Sequence, residues 1–338
     1  VSNGRPDDPG GVIKGNEAVI RARYADAAYF YRDDSQKSLE DFLPRLATLT
    51  FQEDLGSVRD KISRVEKLLG SLLDDLALAD DDKEIAARAA HFCKADLASS
   101  MVVEMTSLQG IMGRYYAIAS GEAEAVGLAI EGHYHPRYPG DSLPESQAGF
   151  AVSVADRLDS LAGLFCAGIK PRATADPYGL RRDTLGLLAN LVGRKCHFSL
   201  SKGLQAAANE LPLKVKPGLL EDALDFILRR FSIQLKEEGY AHDVVEAALG
   251  GGSDDPYELR RIVEGLAGMV GAKEWLKTFH AYSRCKRLVR DLEESHDLSP
   301  ETDGEATSRD LHSSYEASRR KMDQSHNSVE TLAQVLTE

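Results

Sequence analysis

Apolar side chains recur at three- and four-residue spacing along most of the chain, which is the period of an amphipathic α-helix. Continuous stripes of this kind cover 58–73, 85–97, 151–165 and 180–191. No run of strict apolar–polar alternation stands out, and such alternation is the pattern that indicates a half-buried β-strand. The hydrophobic pattern therefore predicts an all-α fold.

Clusters of Pro and Gly interrupt the helical pattern at 133–146, 170–179 and 210–218, and such clusters mark loops. Within the second loop, Asp176 is placed to cap a helix that opens with Pro177. The third loop divides the chain into a front half and a back half. Behind it the spacing predicts helices near 219–238, 242–249, 256–270 and 274–292.

The 338 residues are enough for about two domains. The longest apolar runs are far shorter than the roughly 20 residues that cross a bilayer, so no membrane partner is expected. The start of the chain lacks the features of a secretory signal and has no initial Met, so we expect a piece of a longer protein. The four cysteines show no C-x-x-C pair, and we interpret them as free buried thiols in a reducing compartment.

The net charge of −13 argues against a protein that coats nucleic acid without specificity, and no DNA partner is expected. The charge is unevenly distributed, however. Segments 74–84 and 291–305 are strongly acidic, whereas 170–195 carries six Lys and Arg against two Asp. Local binding of a polyanion therefore stays possible.

Three successive helical segments resemble the HD superfamily of metal-dependent phosphohydrolases. Those enzymes use a His, a His-Asp doublet and a later Asp to hold cations that activate water for attack on phosphorus. The resemblance places the first His at Lys61, the doublet at Ala95 and Asp96, and the last Asp at Asp156. Because two of the four ligands are missing, it implies a degenerate HD-like domain with no metal and no catalytic residue.

Lys61 is a cation, so we expect it to take the place of the metal by pairing with Asp96 or Asp156. His91 lies one helical turn before the doublet and stays open as a ligand, although one His and two Asp beside a Lys make a poor metal site. The His133–His135 pair lies in a Pro-rich loop. We interpret that pair as a surface feature.

A more specific resemblance is carried by six motifs that follow one another in order. They are FQEDLGSVRDKISRV (51–65), CKADLASSMVVEM (93–105), LQGIMGRYYA (108–117), HYHPRYPGDSLP (133–144), ADRLDSLAGLF (155–165) and DPYGLRRDTLG (176–186). Together they resemble the β subunit of the bacterial-type glycyl-tRNA synthetase. Segment 15–34 is similar to the end of that subunit's body region, and 220–249 and 281–292 resemble its anticodon-binding domain.

This resemblance implies a division of the chain into five parts. They are the end of the body region or a linker at 1–50, the degenerate HD-like helical domain at 51–212, a helical-bundle anticodon-binding domain at 213–292, a disordered acidic linker at 293–308 and a C-terminal helix at 309–338. The family pattern weakens after residue 292.

In this family the α subunit carries the class II catalytic core, which activates glycine with ATP and Mg²⁺, and the β subunit binds tRNA. The two form an α2β2 assembly or a fused chain. The resemblance thus implies the tRNA-binding part of a cytoplasmic glycine-tRNA ligase, with glycine tRNA and an α subunit or α region as partners. The sequence has no class II motif, Walker A sequence or G-x-G-x-x-G, so the chain alone is expected to be inactive and to use no cofactor.

Two hypotheses from other classes stay open, namely an HD-type metal-dependent nucleotide phosphohydrolase and a stand-alone RNA-binding adaptor. The absence of His at positions 61 and 95 counts against the first of these. Class II motifs upstream in the full gene, or a separate α-subunit gene nearby, would remove the second.

Contacts with tRNA call for cations on phosphates and for flat surfaces on which bases stack. Lys286, Arg287 and Arg290 share one face of a predicted helix, and Arg284 flanks them. A solvated helix face is the alternative interpretation of this cluster. Three aromatic residues precede it: Trp275, Phe279 and Tyr282. These side chains either pack in a core or offer stacking surfaces.

Arg181 and Arg182 form a second candidate for tRNA binding. Two roles stay open for them: one could pair with Asp159 or Asp156 inside the HD-like domain, which would leave the other for a phosphate. The geometry of a guanidinium group suits either role. Arg114 poses the same choice, and we interpret it as structural.

Overall fold

The chain is described here by a computed structural model that covers residues 9–172, 175–270, 272 and 275–289, together with 310, 313–314, 316–317 and 320. Up to residue 132 the α-helices are α1 (Pro9–Asp34), α2 (Leu39–Phe42), α3 (Val58–Leu72), α4 (Asp80–Phe92), α5 (Ser100–Glu104), α6 (Ile111–Ala119) and α7 (Glu124–Gly132). Beyond it they are α8 (Gln147–Cys166), α9 (Leu180–Gly193), α10 (Leu200–Asn209), α11 (Leu219–Glu237), α12 (His242–Leu249), α13 (Pro256–Val270) and α14 (Trp275–Val289). Helices dominate the described chain, which confirms the all-α fold class.

The described chain divides into two compact units between Phe231 and Ser232, within α11. The domain boundaries inferred from the resemblance stay predictions. The acidic linker at 293–308 and most of the C-terminal helix at 309–338 lie outside the described residues. The six residues described in that last segment are all helical.

Helix α8 is the centre of the first unit. It packs against α3, α4, α7, α9 and α10. A helix surrounded in this way has to be apolar on nearly every side, and almost all residues from Ala148 to Cys166 are buried. Gly149 lets α7 approach, because a Cβ added there would lie 3.3 Å from the Cα of Ala129. The charged residues of α8 therefore sit where water cannot neutralise them.

Two details of the first unit differ from the hydrophobic pattern. The stripe predicted over 85–97 is not one helix, because α4 ends at Phe92 and a 3₁₀ turn follows at Ala95–Ala98. A small antiparallel hairpin pairs Thr50–Gln52 with Gly56–Ser57. Strands this short are below the length at which alternation becomes visible in a sequence.

Asp176 caps a helix as predicted, but the helix begins later than Pro177. The carboxylate of Asp176 accepts hydrogen bonds from the backbone N–H groups of Leu180 and Arg181, both at 2.9 Å. Gly179 precedes the helix in the left-handed conformation, with φ +72°. That conformation is one that glycine adopts readily, so α9 starts at Leu180.

The second unit contains α12 and α13, whose bounds match the predicted 242–249 and 256–270. Val245 of α12 and Leu259 and Val263 of α13 are fully buried. At its surface, Lys236 lies 2.7 Å from Glu246. The predicted bounds of these two short helices are thus confirmed, because Gly or Pro marks where each apolar stripe is interrupted.

In the described part of the chain, no helix combines the length and the apolar composition that crossing a membrane would require.

A buried carboxylate joins the end of α1 to α5 and α6. Asp34 is the last residue of α1 and is fully buried. Its oxygens accept hydrogen bonds from the backbone N–H groups of Ser100 (3.0 Å) and Met101 (2.9 Å) and from the hydroxyl of Tyr116 (3.0 Å). One side chain therefore satisfies two free N–H groups at the start of α5.

We expect Asp34→Ala to lower the free energy of unfolding by about 2–4 kcal/mol, because three buried donors lose their acceptor. Urea denaturation measures the change. Asp33→Ala is the matched control, since its side chain is 44% exposed and, within the described part of the chain, pairs with Lys37 alone. We expect the control to lose about 0.5 kcal/mol or less. Equal urea midpoints for the two variants would contradict the anchoring role of Asp34.

Candidate functional site

A cluster of Lys61, Arg64, Lys94, Asp156 and Asp159 lies at the positions of the HD resemblance and is called the HD-like centre. The start of α3 positions Lys61, the first cation of this centre. The hydroxyl of Ser57 accepts a hydrogen bond from the backbone N–H of Asp60, and the carboxylate of Asp60 accepts one in return from the backbone N–H of Ser57 at 2.8 Å. The hydroxyl of Ser57 also donates to that carboxylate at 2.7 Å, and this bond, together with the one from the Ser57 N–H, lowers the pKa of Asp60. This capping box fixes the first turn of the helix. Lys61 and Arg64, three residues apart on one face, are consequently directed toward α8 and buried.

The ammonium group of Lys61 lies against one turn of α8. It donates hydrogen bonds to Oδ2 of Asp159 (3.0 Å), Oγ of Ser160 (2.8 Å) and the carbonyl oxygen of Asp156 (3.1 Å). Its Nζ also lies 3.0 Å from Oδ1 of Asp156. Three acceptors match the three N–H donors of a lysine. The expected pair of Lys61 with Asp156 is confirmed.

A second lysine, which the sequence analysis missed, completes the neutralisation of Asp156. Nζ of Lys94 lies 2.9 Å from Oδ2 of Asp156 and 2.8 Å from Nε2 of His133. It also stands 4.1 Å from the centre of the Tyr134 ring. Each carboxylate oxygen of Asp156 therefore faces an ammonium group. The HD resemblance assigned this carboxylate to a metal ion instead.

Asp159 is held by Arg64 as well as by Lys61. Nε of Arg64 donates to Oδ1 at 2.6 Å and Nη2 donates to Oδ2 at 3.2 Å. This two-point contact between a guanidinium and a carboxylate is a strong ion-pair geometry. Of the two roles left open for Arg181 and Arg182, a pair with Asp159 or Asp156 is not formed, because Lys61, Lys94 and Arg64 occupy both carboxylates.

Asp96 does not belong to this cluster. Its Oδ2 accepts hydrogen bonds from the backbone N–H groups of Gly110 (2.6 Å) and Gly113 (3.0 Å), and Lys61 pairs with Asp156 instead. Burial raises the pKa of Asp96 to about 6. Ala95 is buried in the same 3₁₀ turn. The carboxylate of Asp96 thus holds the start of α6 in place and does not face Asp156.

The histidines also lie differently from the sequence interpretation. His133 is buried beside Lys94, so the view of it as a surface residue is wrong. Its Nδ1 donates to the carbonyl oxygen of Ile130, which leaves Nε2 to accept from Lys94. His91 is occupied elsewhere, with its Nδ1 2.6 Å from Glu66. Neither histidine reaches the carboxylates of α8 in a ligand role.

Charge and burial act against each other at the Lys61–Asp156 pair. Burial would raise the pKa of Asp156, but Lys61 and Lys94 outweigh it and hold that pKa well below its usual 3.8. Burial would likewise lower the pKa of Lys61, yet Asp156 and Asp159 raise it. Burial, helped by the charge of Lys94, lowers the pKa of His133 well below 6.5. At neutral pH the lysine and the aspartate are charged and the histidine is neutral.

Arg157 fixes the loop that covers the centre. Its guanidinium donates to the carbonyl oxygens of residues 133–136, at 3.1–3.3 Å. The peptide bond between His135 and Pro136 in this loop is cis. The sequence offered one signal for this role, since Arg157 stands directly beside Asp156. The loop is held from inside the protein by a buried side chain of α8.

The centre opens into a cavity of about 330 Å³. Seven charged side chains line it: Lys61, Lys94, Arg137, Arg157, Arg182, Asp156 and Asp183. Burial raises the pKa of Asp183. Among the described residues, no group of three or more His, Cys, Asp and Glu side chains is arranged to hold a metal ion. That the centre works without metal remains a prediction, and its support is the pair of ammonium groups on Asp156.

The Arg181–Arg182 pair lies at the start of α9. The guanidinium of Arg181 donates to the carbonyl oxygen of Arg172. Arg182 is exposed and lines the cavity. Arg114, interpreted as structural, pairs with Glu131 at 3.1 Å.

The other basic candidates lie on α14. Arg284, Lys286 and Arg287 are exposed, whereas Arg290 lies outside the described residues. Core packing is the wrong interpretation for two of the preceding aromatic residues, since Phe279 is 49% and Tyr282 60% exposed. Trp275 stacks on Phe279 with ring centres 6.2 Å apart. Cations and flat apolar surfaces are thus presented together on one exposed helix.

Cysteine burial is mixed. Cys93 and Cys166 are buried free thiols, but Cys196 is partly exposed and Cys285 is exposed. Burial raises the pKa of Cys93 to about 12, so this thiol stays protonated. The expectation of buried thiols is therefore correct for the first two cysteines only.

Comparison with known proteins extends over most of the chain. A family model described as glycyl-tRNA synthetase beta subunit matches residues 1–250. The glycine–tRNA ligase beta subunit of Clostridioides difficile is 39% identical over 296 residues, which are 87% of this chain and 43% of that protein. That of Moorella thermoacetica is 37% identical over 318 residues, 92% of this chain and 46% of that protein. The glycine–tRNA ligase, chloroplastic/mitochondrial 2, of Arabidopsis thaliana is 37% identical over 279 residues, which are 82% of this chain and 26% of that protein.

These matches place the chain in the class of aminoacyl-tRNA synthetase components. It belongs to the glycyl-tRNA synthetase beta subunit family, which confirms the resemblance seen in the sequence motifs. The chain spans less than half the length of these curated relatives. The alternative of an HD-type nucleotide phosphohydrolase gains no support from any of them.

We expect Lys61→Ala to lower the free energy of unfolding by about 3–5 kcal/mol, since it leaves buried carboxylates short of a cation. Chemical denaturation at pH 7 measures the loss. Lys83→Ala is the control, because the partners of Lys83, Asp74 and Asp80, are both 97% exposed. A Lys61 variant that is no less stable than the Lys83 variant would contradict the role given to Lys61.

We expect acid to lower the free energy of unfolding by protonating Asp156, which then no longer pairs with Lys61 and Lys94. Because its folded pKa is depressed, the unfolded state takes up the proton first, and the stabilisation is complete above the usual pKa of 3.8. Stabilisation is lost as pH falls below that value toward the folded pKa. We therefore expect the difference in unfolding free energy between the parent and Asp156→Asn to be constant at pH 5–7 and to shrink below about pH 4. Parallel stability curves down to about pH 2 would be the opposite result.

Proposed function

We propose that this chain is the tRNA-binding part of a cytoplasmic glycine-tRNA ligase. The observation that carries the proposal is the family match over residues 1–250. In such an enzyme the partner is a catalytic α subunit, in an α2β2 assembly, or an α region fused to the same chain. That partner activates glycine with ATP and Mg²⁺. This chain contributes binding and orientation of glycine tRNA and, by itself, no catalytic residue.

The exposed face of α14 suits single-stranded tRNA. Arg284, Lys286 and Arg287 offer cations for phosphates, and Tyr282 places its ring 6.0 Å from Nζ of Lys286. Bases stack on aromatic rings whatever their identity, and neighbouring cations hold the backbone. Arg290 is assigned to the same face by its helical spacing in the sequence. The solvated helix face remains the competing interpretation, and binding experiments distinguish the two.

Arg181 and Arg182 are the second proposed contact. The side chain of Arg181 is bound to the backbone of the loop before it, whereas Arg182 is exposed. Arg182 is accordingly the member of the pair that is available to a phosphate.

A titration of the chain with glycine tRNA, against the same tRNA carrying a swapped anticodon, tests the proposal. We expect tighter binding of glycine tRNA. No binding at low salt to either tRNA by a folded sample would overturn it. Addition of the catalytic partner should then restore glycylation that neither component supports alone.

Replacing Lys286 and Arg287 together with Ala should weaken tRNA binding and reduce its salt dependence. Each phosphate contact to a single strand contributes roughly 0.7 to the log–log slope, so we expect a slope shallower by about one to two. The unfolding midpoint should hardly change, because exposed charges contribute little to folding. Binding isotherms at several salt concentrations give the slope.

The matched control is the double Ala variant of Lys214 and Lys216, two exposed lysines of the first unit. Its affinity and salt slope should equal those of the parent. If the 286–287 variant also binds like the parent at every salt concentration, α14 is not the tRNA contact.

A further inference from the structure

The cavity at the HD-like centre is electropositive in a strongly acidic protein. Five of the seven charged side chains that line it are cations, while the whole chain carries −13. Lys61, Arg64 and Lys94 pair with the carboxylates of Asp156 and Asp159, and Asp96 and Asp183 interact electrostatically with Lys94 and Lys61 respectively. The remaining cations of the cavity wall are Arg137, Arg157 and Arg182. Burying unneutralised charge is costly, so an anion beside these guanidinium groups would stabilise the arrangement.

Two guanidinium groups of the cavity have unused donors. Among the described residues, the side chain of Arg182 makes no hydrogen bond and no ion pair within 4 Å, and no acceptor reaches the buried Nε of Arg137. The other nitrogens of Arg137 are fixed, with Nη2 donating to the carbonyl oxygen of Gln109 at 3.0 Å. Arg137 is thus held in place, and its Nε is buried without a hydrogen-bond partner. Planar guanidinium groups recognise phosphate oxygens well.

Aromatic rings line the same cavity. Phe51 and Tyr178 meet edge to face with ring centres 6.2 Å apart. Both side chains are partly exposed, and both lie in the cavity wall. A ligand with a flat ring beside its negative charge would find a stacking surface there. The volume of about 330 Å³ is at the small end of the range for ligand pockets and suits a small molecule or a single residue of a polymer.

We infer that this cavity binds the phosphate of a mononucleotide unit without a metal ion, with Arg182 as the direct contact of the phosphate, with Arg137 and Lys94 adding positive charge to the wall, and with Phe51 and Tyr178 beside the base. The inference goes beyond the proposed tRNA contact on α14 and does not depend on it, and it shares Arg182 with the second proposed tRNA contact. Binding alone is proposed, and no bond is made or broken. The nucleotide is either a free molecule or a residue of an RNA.

Calorimetric titration of the full chain with AMP, after treatment with EDTA, tests the inference. We expect AMP to bind in the continued presence of EDTA. Adenosine, which lacks the phosphate, should bind at least about tenfold more weakly, because it forfeits the charge-assisted hydrogen bonds. Inorganic phosphate should compete with AMP at higher concentration.

Arg182→Ala is the decisive variant, since an exposed side chain can be removed without disturbing the core. We expect its affinity for AMP to fall about tenfold or more, with part of the loss recovered in Arg182→Lys. Arg172→Ala is the matched control, because Arg172 is an exposed arginine of the neighbouring loop that does not line the cavity. The control should bind AMP like the parent.

Three results would overturn the inference: no AMP binding to folded protein at millimolar concentration, binding that requires an added divalent ion, or binding unchanged in Arg182→Ala. Competition with tRNA identifies the source of the nucleotide. Displacement of AMP by tRNA assigns the site to a residue of the RNA, and simultaneous binding assigns it to a free nucleotide. Either result supports the cavity as a nucleotide site, and neither requires α14 to contact tRNA.

Discussion

Two carboxylates in the middle of the most buried helix are the constraint on which the first unit depends. Asp156 and Asp159 lie one turn apart on α8, which five helices surround, with the side chain of Asp159 1% and that of Asp156 15% exposed. Their charges are stable there only if cations are brought from elsewhere in the chain. Lys61 and Arg64 come from α3, and Lys94 comes from the turn after α4. The ion pairs therefore fix the register of three parts of the fold at once.

The same arrangement separates this domain from the hydrolases that it resembles. A metal ion activates water because it is a small, strongly polarising charge with an open coordination position. A lysine ammonium offers hydrogen bonds and no coordination position, and both oxygens of Asp156 face such groups. What is kept is a positively charged cavity with aromatic walls. Such a cavity suits the recognition of an anion.

The sequence allowed the helices to be predicted wherever the apolar period was long or was bounded by Gly and Pro, as for α12 and α13. It also identified Lys61 and Asp156, because the resemblance aligned them with known ligand positions. Lys94 and His133 were missed since nothing local distinguishes them: their roles depend on contacts 62 and 39 residues away in the chain. Asp96 was misplaced because the 3₁₀ turn at Ala95–Ala98 rotates it toward Gly110, and a uniform helical period does not foresee that change.

A lysine that neutralises a buried carboxylate is a counter-ion attached by a covalent bond. The stability that a bound metal gives depends on its free concentration and is lost when a stronger chelator competes for it. Lys61 and Lys94 are present at a fixed ratio to Asp156 from the moment the chain is synthesised. Folding of this domain would then be indifferent to metal starvation and to metal excess.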